Sequence, residues 1–340
     1  MMITNEAQLD GLLSSPSQAD VAAMRALDGD IAILGAGGKM GPTMALRAME
    51  ASRKAGVDRN IFAVSRFSDL DVADQLHAAG IQVIGADLLN RDEYSRLPDA
   101  PNVLYLAGRK FGSSGAEHLT WAMNAYVPAL VCERYADSRV VALSSGNIYP
   151  LLPISSGGAT EQTKTAPVGE YAQSVLARER IFEYFSDRNG TPVLLVRLNY
   201  AAEMRYGVLL DIGLSVFERR PIDLRMGAVN VIWQGDANSA CLRAFNLCSS
   251  PPRVLNLTGP ETVSVRHVSN IFGQHFGVEP IFTGEESNNA LLNNASVAHR
   301  TFGYPSVTLY QMIEWTAHWI GMGGTTHGKP TKYEVTDGKF

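Results

Sequence analysis

The chain is 340 residues long, 46% apolar and 19% charged, with a net charge of −5. That length suffices for a sizeable core in one large domain or two modest ones, and the weakly acidic balance argues against the basic footprint of nucleic-acid or membrane-surface binding. Three scattered cysteines with no CxxC pair, and seven histidines with no HxH or HxxxH spacing, argue against a disulfide framework and a metal site.

The first 29 residues show neither the basic start nor the long apolar core of a secretory signal. No run of about 18 apolar residues occurs anywhere, so a cytoplasmic protein without a membrane span is expected. "QADVAAMRALDG" has helical spacing and stops at Gly29, making residues 1–29 a short helical extension. Then strands and helices alternate. Strands are expected at 31–34, 60–66, 81–87, 102–108, 139–145 and 192–199. Helices are expected at 42–54, up to about 79, at about 117–135 and at about 170–186. Apolar strands alternating with amphipathic helices predict an α/β fold, a Rossmann-type doubly wound parallel sheet covered on both faces. Residues 30–200 and 228–258 are assigned to it, and 201–227 with 259–322 to a smaller C-terminal α/β substrate-binding part. There, Ser264 reads as a helix cap and "TLYQMIEWTAHWI" as the last helix. The Gly- and Lys-rich tail, 323–340, is either mobile or draped over a neighbour.

The first strand and first helix are joined by "GAGGKMG", with glycines at 35, 38 and 41. Gly35 permits the turn, Gly38 lets a pyrophosphate approach the backbone, and Gly41 allows close helix-to-strand packing. Lys39 and Met40 lie in the same turn. The second strand ends in Ser65 and Arg66, with no carboxylate before Asp69. A carboxylate there would bind the ribose hydroxyls of NAD, whereas Arg66, helped by Lys39, suits a 2′-phosphate. NADP(H) is therefore favoured over NAD(H).

With these landmarks the chain resembles the extended short-chain dehydrogenase/reductases, the NAD(P)-dependent epimerase/dehydratase family, over about residues 31–320. The glycine turn has that family's GxxGxxG spacing, and "GADLLN" implies that Asp87 and Leu88 bind the adenine ring. "LAGRKFG" resembles the cofactor-contacting segment, implying roles for Ala107, Gly108 and Lys110. "WAMNAYVPAL" places Asn124 at a structural asparagine. "LSSGNIYP" is similar to SSxxVYG, which makes Ser145 the implied catalytic serine and sets Asn147 beside the substrate. "VRLNYA" resembles RxxNxYGP, giving Arg197 and a cofactor-binding Asn199, and "VIWQGDANSA" resembles the late VDDVA motif, with Asp236.

"GEYAQSVLARER" aligns Tyr171 with the tyrosine of the family's YxxxK pair and Glu179 with a frequent glutamate, but Val175 stands where the lysine belongs. Without that cation Tyr171 is a protonated phenol, able to donate but a poor base. Lys110 is the best replacement, while Arg178 shares the helical face two turns away. The family's nucleotide-sugar members carry an arginine where this chain has Val229. A smaller sugar, sugar acid or polyol derivative is therefore expected, held by Arg205, Trp233 or Gln234. The leading expectation is an epimerase/dehydratase-like oxidoreductase with Ser145 and Tyr171 catalytic. The alternatives are non-redox isomerase or lyase chemistry in the same pocket, or an inactive NAD(P)-binding sensor. The resemblance also implies a homodimer paired through the helices that carry Asn124 and Tyr171.

Overall fold

The computed structural model describes residues 2–110 and 115–338. Seven strands form one parallel sheet: β1 (Ile31–Leu34), β2 (Ile61–Ser65), β3 (Gln82–Gly85), β4 (Asn102–Tyr105), β5 (Arg139–Ser145), β6 (Val193–Leu198) and β7 (Arg253–Leu257). Their spatial order is β7-β6-β5-β4-β1-β2-β3, the doubly wound arrangement expected, with the order of successive strands reversing between β1 and β4. Side chains alternate across a strand, so each strand feeds two cores. Ile31, Ile33, Leu104, Val141 and Leu194 join one cluster, and Ala32, Leu34, Val103, Val140 and Leu195 join the opposite one.

Helices α1 (Glu6–Ser14), α2 (Gln18–Ala26) and α3 (Gly41–Ala55) precede β2, and α4 (Leu70–Ala78) follows it. The N-terminal helices are not peripheral. Met24 of α2 enters the sheet core, whereas Leu9 and Leu13 of α1 enter the core of the smaller C-terminal part. A buried pair, Asp20 with Arg47 of α3 at 2.6 Å, fixes α2, and the Ser239 hydroxyl donates to the same carboxylate. Burial pushes the Asp20 carboxyl up, but the Arg47 charge and these hydrogen bonds together hold it below its ordinary range.

The helix expected at about 117–135 is continuous but changes winding. It runs from α5 (Glu117–Trp121) through one π-helical turn (Ala122–Tyr126) into α6 (Val127–Arg134). Beyond it come α7 (Gly169–Asn189), α8 (Val208–Phe217), α9 (Gln234–Arg243), α10 (Val265–Phe276), α11 (Ser296–Phe302) and α12 (Leu309–Gly321). Ser264 caps α10, accepting from the His267 N–H. Val208, Ile212, Phe272, Ile313 and Trp319 build the third core. No helix among the described residues is long and apolar enough to cross a membrane.

Candidate active site

The carboxyl ends of β1, β4, β5 and β6 open onto one groove, as expected at the point where strand order reverses. Its inner half is a cavity of about 360 Å³ lined by Gly35, Gly38, Lys39, Met40, Gly108, Lys110, Ser145, Asn147, Tyr171 and Asn199, among others. Its outer half, about 320 Å³, shares Gly35, Gly38, Leu106 and Gly108 with the first and adds Ser65, Arg66, Asp87, Leu88 and Ala107.

Two glycines of the turn are irreplaceable in place. Gly35 has φ +89°, and a Cβ there would lie 2.7 Å from the Ala107 nitrogen on the neighbouring strand's exit. At Gly41 a Cβ would meet the Ala36 carbonyl oxygen at 2.3 Å, so only glycine lets α3 start against the turn. No side chain caps α3, and Pro42 opens its first turn. The first-turn N–H groups are thus left for some other acceptor beside the groove. Asp69 is engaged as the N-cap of α4, its Oδ1 accepting from the Asp71 N–H at 3.1 Å.

In the inner half, Ser145 Oγ donates to Asn147 Oδ1 at 3.0 Å and accepts from the Asn147 N–H. It is also hydrogen-bonded to the Tyr171 phenol. Burial pushes Tyr171 above its ordinary value, while the charge of Arg178 and the bond to Ser145 pull it back. Val175 is fully buried, and its side chain is not part of the cavity wall. Arg178 is the cation present instead: 5% exposed, it lines the cavity and donates to the Leu143 carbonyl at 2.8 Å and to Asn124 Oδ1 at 2.7 Å. Asn124 is the hub. From the π-helical turn its Oδ1 also accepts from the Arg109 N–H, and its amide donates to the Arg109 carbonyl and Ser174 Oγ. It thereby ties the β4 exit to the tyrosine helix. Lys110 sits 5.9 Å from the Tyr171 ring centroid and donates to the Thr331 carbonyl at 3.1 Å. Desolvation brings its pKa down to about 8. Phe111 and Gly112, the end of the motif containing Lys110, lie outside the described residues.

Four expected residues stand elsewhere. Trp233 is 3% exposed, edge-on to Trp315 with ring centroids 5.5 Å apart, because the third core needs its bulk. Arg205 is occupied by Glu203, Asp10 and Glu6, a carboxylate cluster that fastens α1. Neither Trp233 nor Arg205 lines the inner cavity, although Gln234 does. Arg197 lies behind the sheet in a buried pair with Glu179 at 2.7 Å. The same carboxylate accepts from Ser144 Oγ. Asp236 caps the segment before α12 through Ser306 and Val307.

Other wall residues were not singled out from the sequence. Tyr200, at φ +43°, turns the chain out of β6 into the cavity, and Tyr206 lies under the Lys39 ammonium, 3.1 Å from ring centroid to Nζ. Thr331, from the C-terminal tail, closes one side. Only the aromatic-rich "NYAAEMRYG" hinted at the tyrosines.

The sequence profile of the NAD dependent epimerase/dehydratase family matches residues 31–201. No curated protein sequence matches the chain. Among solved structures, UDP-glucuronic acid 4-epimerase from Bacillus cereus, in complex with UDP-glucuronic acid and NAD, superposes with a TM-score of 0.71 at 17% identity, covering 86% of this chain and 99% of that one. The dTDP-glucose 4,6-dehydratase from Bacillus anthracis, in complex with NAD, gives 0.72 at 15%, covering 86% and 97%. UDP-glucose 4-epimerase from Thermotoga maritima, with UDP-glucose, gives 0.69 at 14%, covering 86% and 99%. At these identities the likeness shows the fold.

Proposed function

The chain belongs to the NAD dependent epimerase/dehydratase family, and from that premise we propose that it is an NADP(H)-using oxidoreductase acting on a hydroxyl or carbonyl carbon of a small sugar, sugar acid or polyol derivative. The observation that carries this reading is the hydrogen-bonded Ser145–Tyr171 pair in one cavity with the glycine turn. A nicotinamide dinucleotide fits the groove: the Gly35 and Gly41 backbone leaves no room for a Cβ, and the start of α3 is uncapped beside it. Gly35, Gly38, Lys39, Met40, Gly108, Lys110 and Asn199 would hold its inner half, and Ser65, Arg66, Asp87, Leu88 and Ala107 its outer half. When bound it supplies hydride exchange.

The chain's own groups do the rest. Ser145 Oγ and Tyr171 Oη both face the substrate oxygen in this reading and polarise it. In the reducing direction the Tyr171 Oη proton passes to the developing alkoxide, and the Arg178 guanidinium stabilises the phenolate left behind. Arg66 supports NADP(H): it is exposed at the end of β2 and lines the outer half of the groove, while the nearest following carboxylate, Asp69, is engaged as a helix cap. A small substrate is supported by Val229, which is wholly buried in the third core, and by the tail. Thr331 walls the inner cavity, and the preceding Lys329 and Pro330 line a second cavity with Arg220 and Asp223. A homodimer is supported by Leu119, Trp121, Tyr126 and Tyr184, large apolar side chains exposed on α5, the π-helical turn and α7. Light scattering should give twice the chain mass at micromolar concentration, and a monomer mass would refute pairing.

Catalysis is tested by following nicotinamide absorbance against a carbonyl panel that includes nucleotide-sugars. Turnover of a small substrate is expected, with Tyr171→Phe slower by roughly 10²–10⁴ and cofactor affinity unchanged. Parental rates from Tyr171→Phe would refute the assignment, and turnover confined to nucleotide-sugars would refute the substrate class.

A further inference from the structure

The C-terminal tail does not trail from the fold. Thr325 is held through its carbonyl by Trp319 Nε1 at 2.9 Å and through its hydroxyl by Glu6 at 2.8 Å. The His327 N–H donates to the Arg205 carbonyl at 3.0 Å. Four residues on, the Thr331 N–H and Oγ1 both donate to Asp211 Oδ2, at 2.7 and 2.5 Å, and its carbonyl accepts from Lys110. Thr331 is 1% exposed. Near the far end, Gly338 lies so close to Gly169 that a Cβ on either would fall within 2.5 Å of the other segment's backbone. The segment is a strap, fixed on both sides of Lys329 and running from α12 to the start of the tyrosine helix.

Lys329 is therefore placed, not merely tethered. It is exposed, and among the described residues no hydrogen bond or ion pair holds its ammonium. It lines the outer half of the groove with Gly35, Gly37 and Gly38 of the turn. Two further lysines line the adjoining inner half, Lys39 in the turn and Lys110 after β4, and the two halves meet at Gly35, Gly38 and Gly108. The charges of Lys329 and Lys110 add to desolvation in lowering the Lys39 pKa to about 7, and Lys329 has the larger effect of the two. Three ammonium groups around a groove repel one another until an anion enters between them. A strap anchored by the half-buried carboxylate of Asp211 holds the third of them there against that repulsion.

We propose that Lys329 is a phosphate-binding residue, which the C-terminal strap lays against the pyrophosphate of the bound dinucleotide as a wall facing the glycine turn. The inference rests on the dinucleotide reading above. Lys329 and Arg66 line the same outer cavity, but Lys329 lies two residues from Thr331, whose carbonyl Lys110 binds, and its charge acts on Lys39 of the turn, so the pyrophosphate is favoured over the 2′-phosphate, which falls to Arg66 at the end of β2. Lysine suits this role as a point charge on a flexible stem.

The experiment is titration of NADH and NADPH, read by nicotinamide fluorescence, into the full chain and its variants. Lys329→Ala, at an exposed position, should weaken both cofactors by the same factor, roughly 10- to 100-fold as for a lost charge-assisted contact. Lys329→Arg should recover most of the loss, and added salt should shrink it. Arg66→Ala, by contrast, should weaken NADPH alone. Unchanged affinities in Lys329→Ala would overturn the proposal, and so would a loss confined to NADPH, which would place Lys329 at the 2′-phosphate. If the parent chain binds neither cofactor, the dinucleotide reading itself has failed, an outcome distinct from any difference between variants.

Discussion

Lys39 offers a test of the groove that needs no knowledge of the substrate. Its ammonium lies over Tyr206 and is faced by Lys110 from the β4 exit, Lys329 from the strap, Asp211 from α8 and Glu203 from the turn before α8. Desolvation, then the two lysines, bring its pKa from 10.5 down to about 7. A dianionic pyrophosphate beside it favours the charged form and raises that pKa. The sign follows from linkage: affinity is full below the free-state value, falls as pH rises through 7, and levels off above the bound-state value. If binding restores the ordinary value of 10.5, affinity falls by up to tenfold per unit, or roughly 50-fold between pH 7 and 9.

NADH is the right probe, since the 2′-phosphate of NADPH titrates near pH 6 on its own account. Calorimetry in buffers of different ionisation enthalpy should show close to one proton taken up per NADH at pH 8. Lys39→Arg, which keeps the charge but does not titrate, should bind NADH with a shallower fall over pH 7–9, what remains belonging to Lys110, whose pKa is about 8. Equal NADH affinity at pH 7 and pH 9 in the parent chain would refute the reasoning. An undiminished slope in Lys39→Arg would assign the proton to another group.

Arg178→Met should raise the Tyr171 phenol further and shift the alkaline limb of the turnover profile upward. Arg178→Lys should restore part of the original profile, and an unmoved limb would show that Arg178 only packs. Val175→Lys buries an ammonium at a site with no exposure, so it should lower the thermal midpoint with no gain in turnover, and an unchanged midpoint would contradict the burial seen here.

Much of this fold was legible because strand and helix periods differ and because each βα unit repeats the same pattern. The errors share one cause. Strands read as 60–66, 81–87 and 102–108 end at Ser65, Gly85 and Tyr105. The surplus residues, including Arg66, Ala86, Asp87, Leu106 and Gly108, leave the sheet at its carboxyl edge and line the groove. They look like strand because a ligand groove also calls for apolar and small residues. The π-helical turn at Asn124 left no trace in the local pattern, since its reason is the long-range hydrogen bonding to Arg109 and Arg178. Arg205 read as a ligand residue because its partners Glu6 and Asp10 lie almost 200 positions away. The tail's composition left mobility and draping over a neighbour both open, because its anchors are backbone groups and two threonines, which carry no recognisable spacing.

The replaced lysine shows how a correct motif can lead to an incomplete site. Seven residues separate Tyr171 from Arg178, about 10 Å along a helix axis, a distance that sequence spacing alone sets against a shared role. Two facts of helix geometry reverse this. Positions i and i+7 share a face, and every helical side chain leans toward the N-terminus, so a long side chain at 178 reaches back toward 171. Asn124 Oδ1 and the Leu143 carbonyl then hold the guanidinium at the cavity wall, with its Nε left unpartnered among the described residues. Arginine, unlike lysine, keeps its charge when so enclosed. On the proposed reading Val175 is tolerable for that reason: the cation lies one turn further along the same helix, in a residue that burial cannot neutralise.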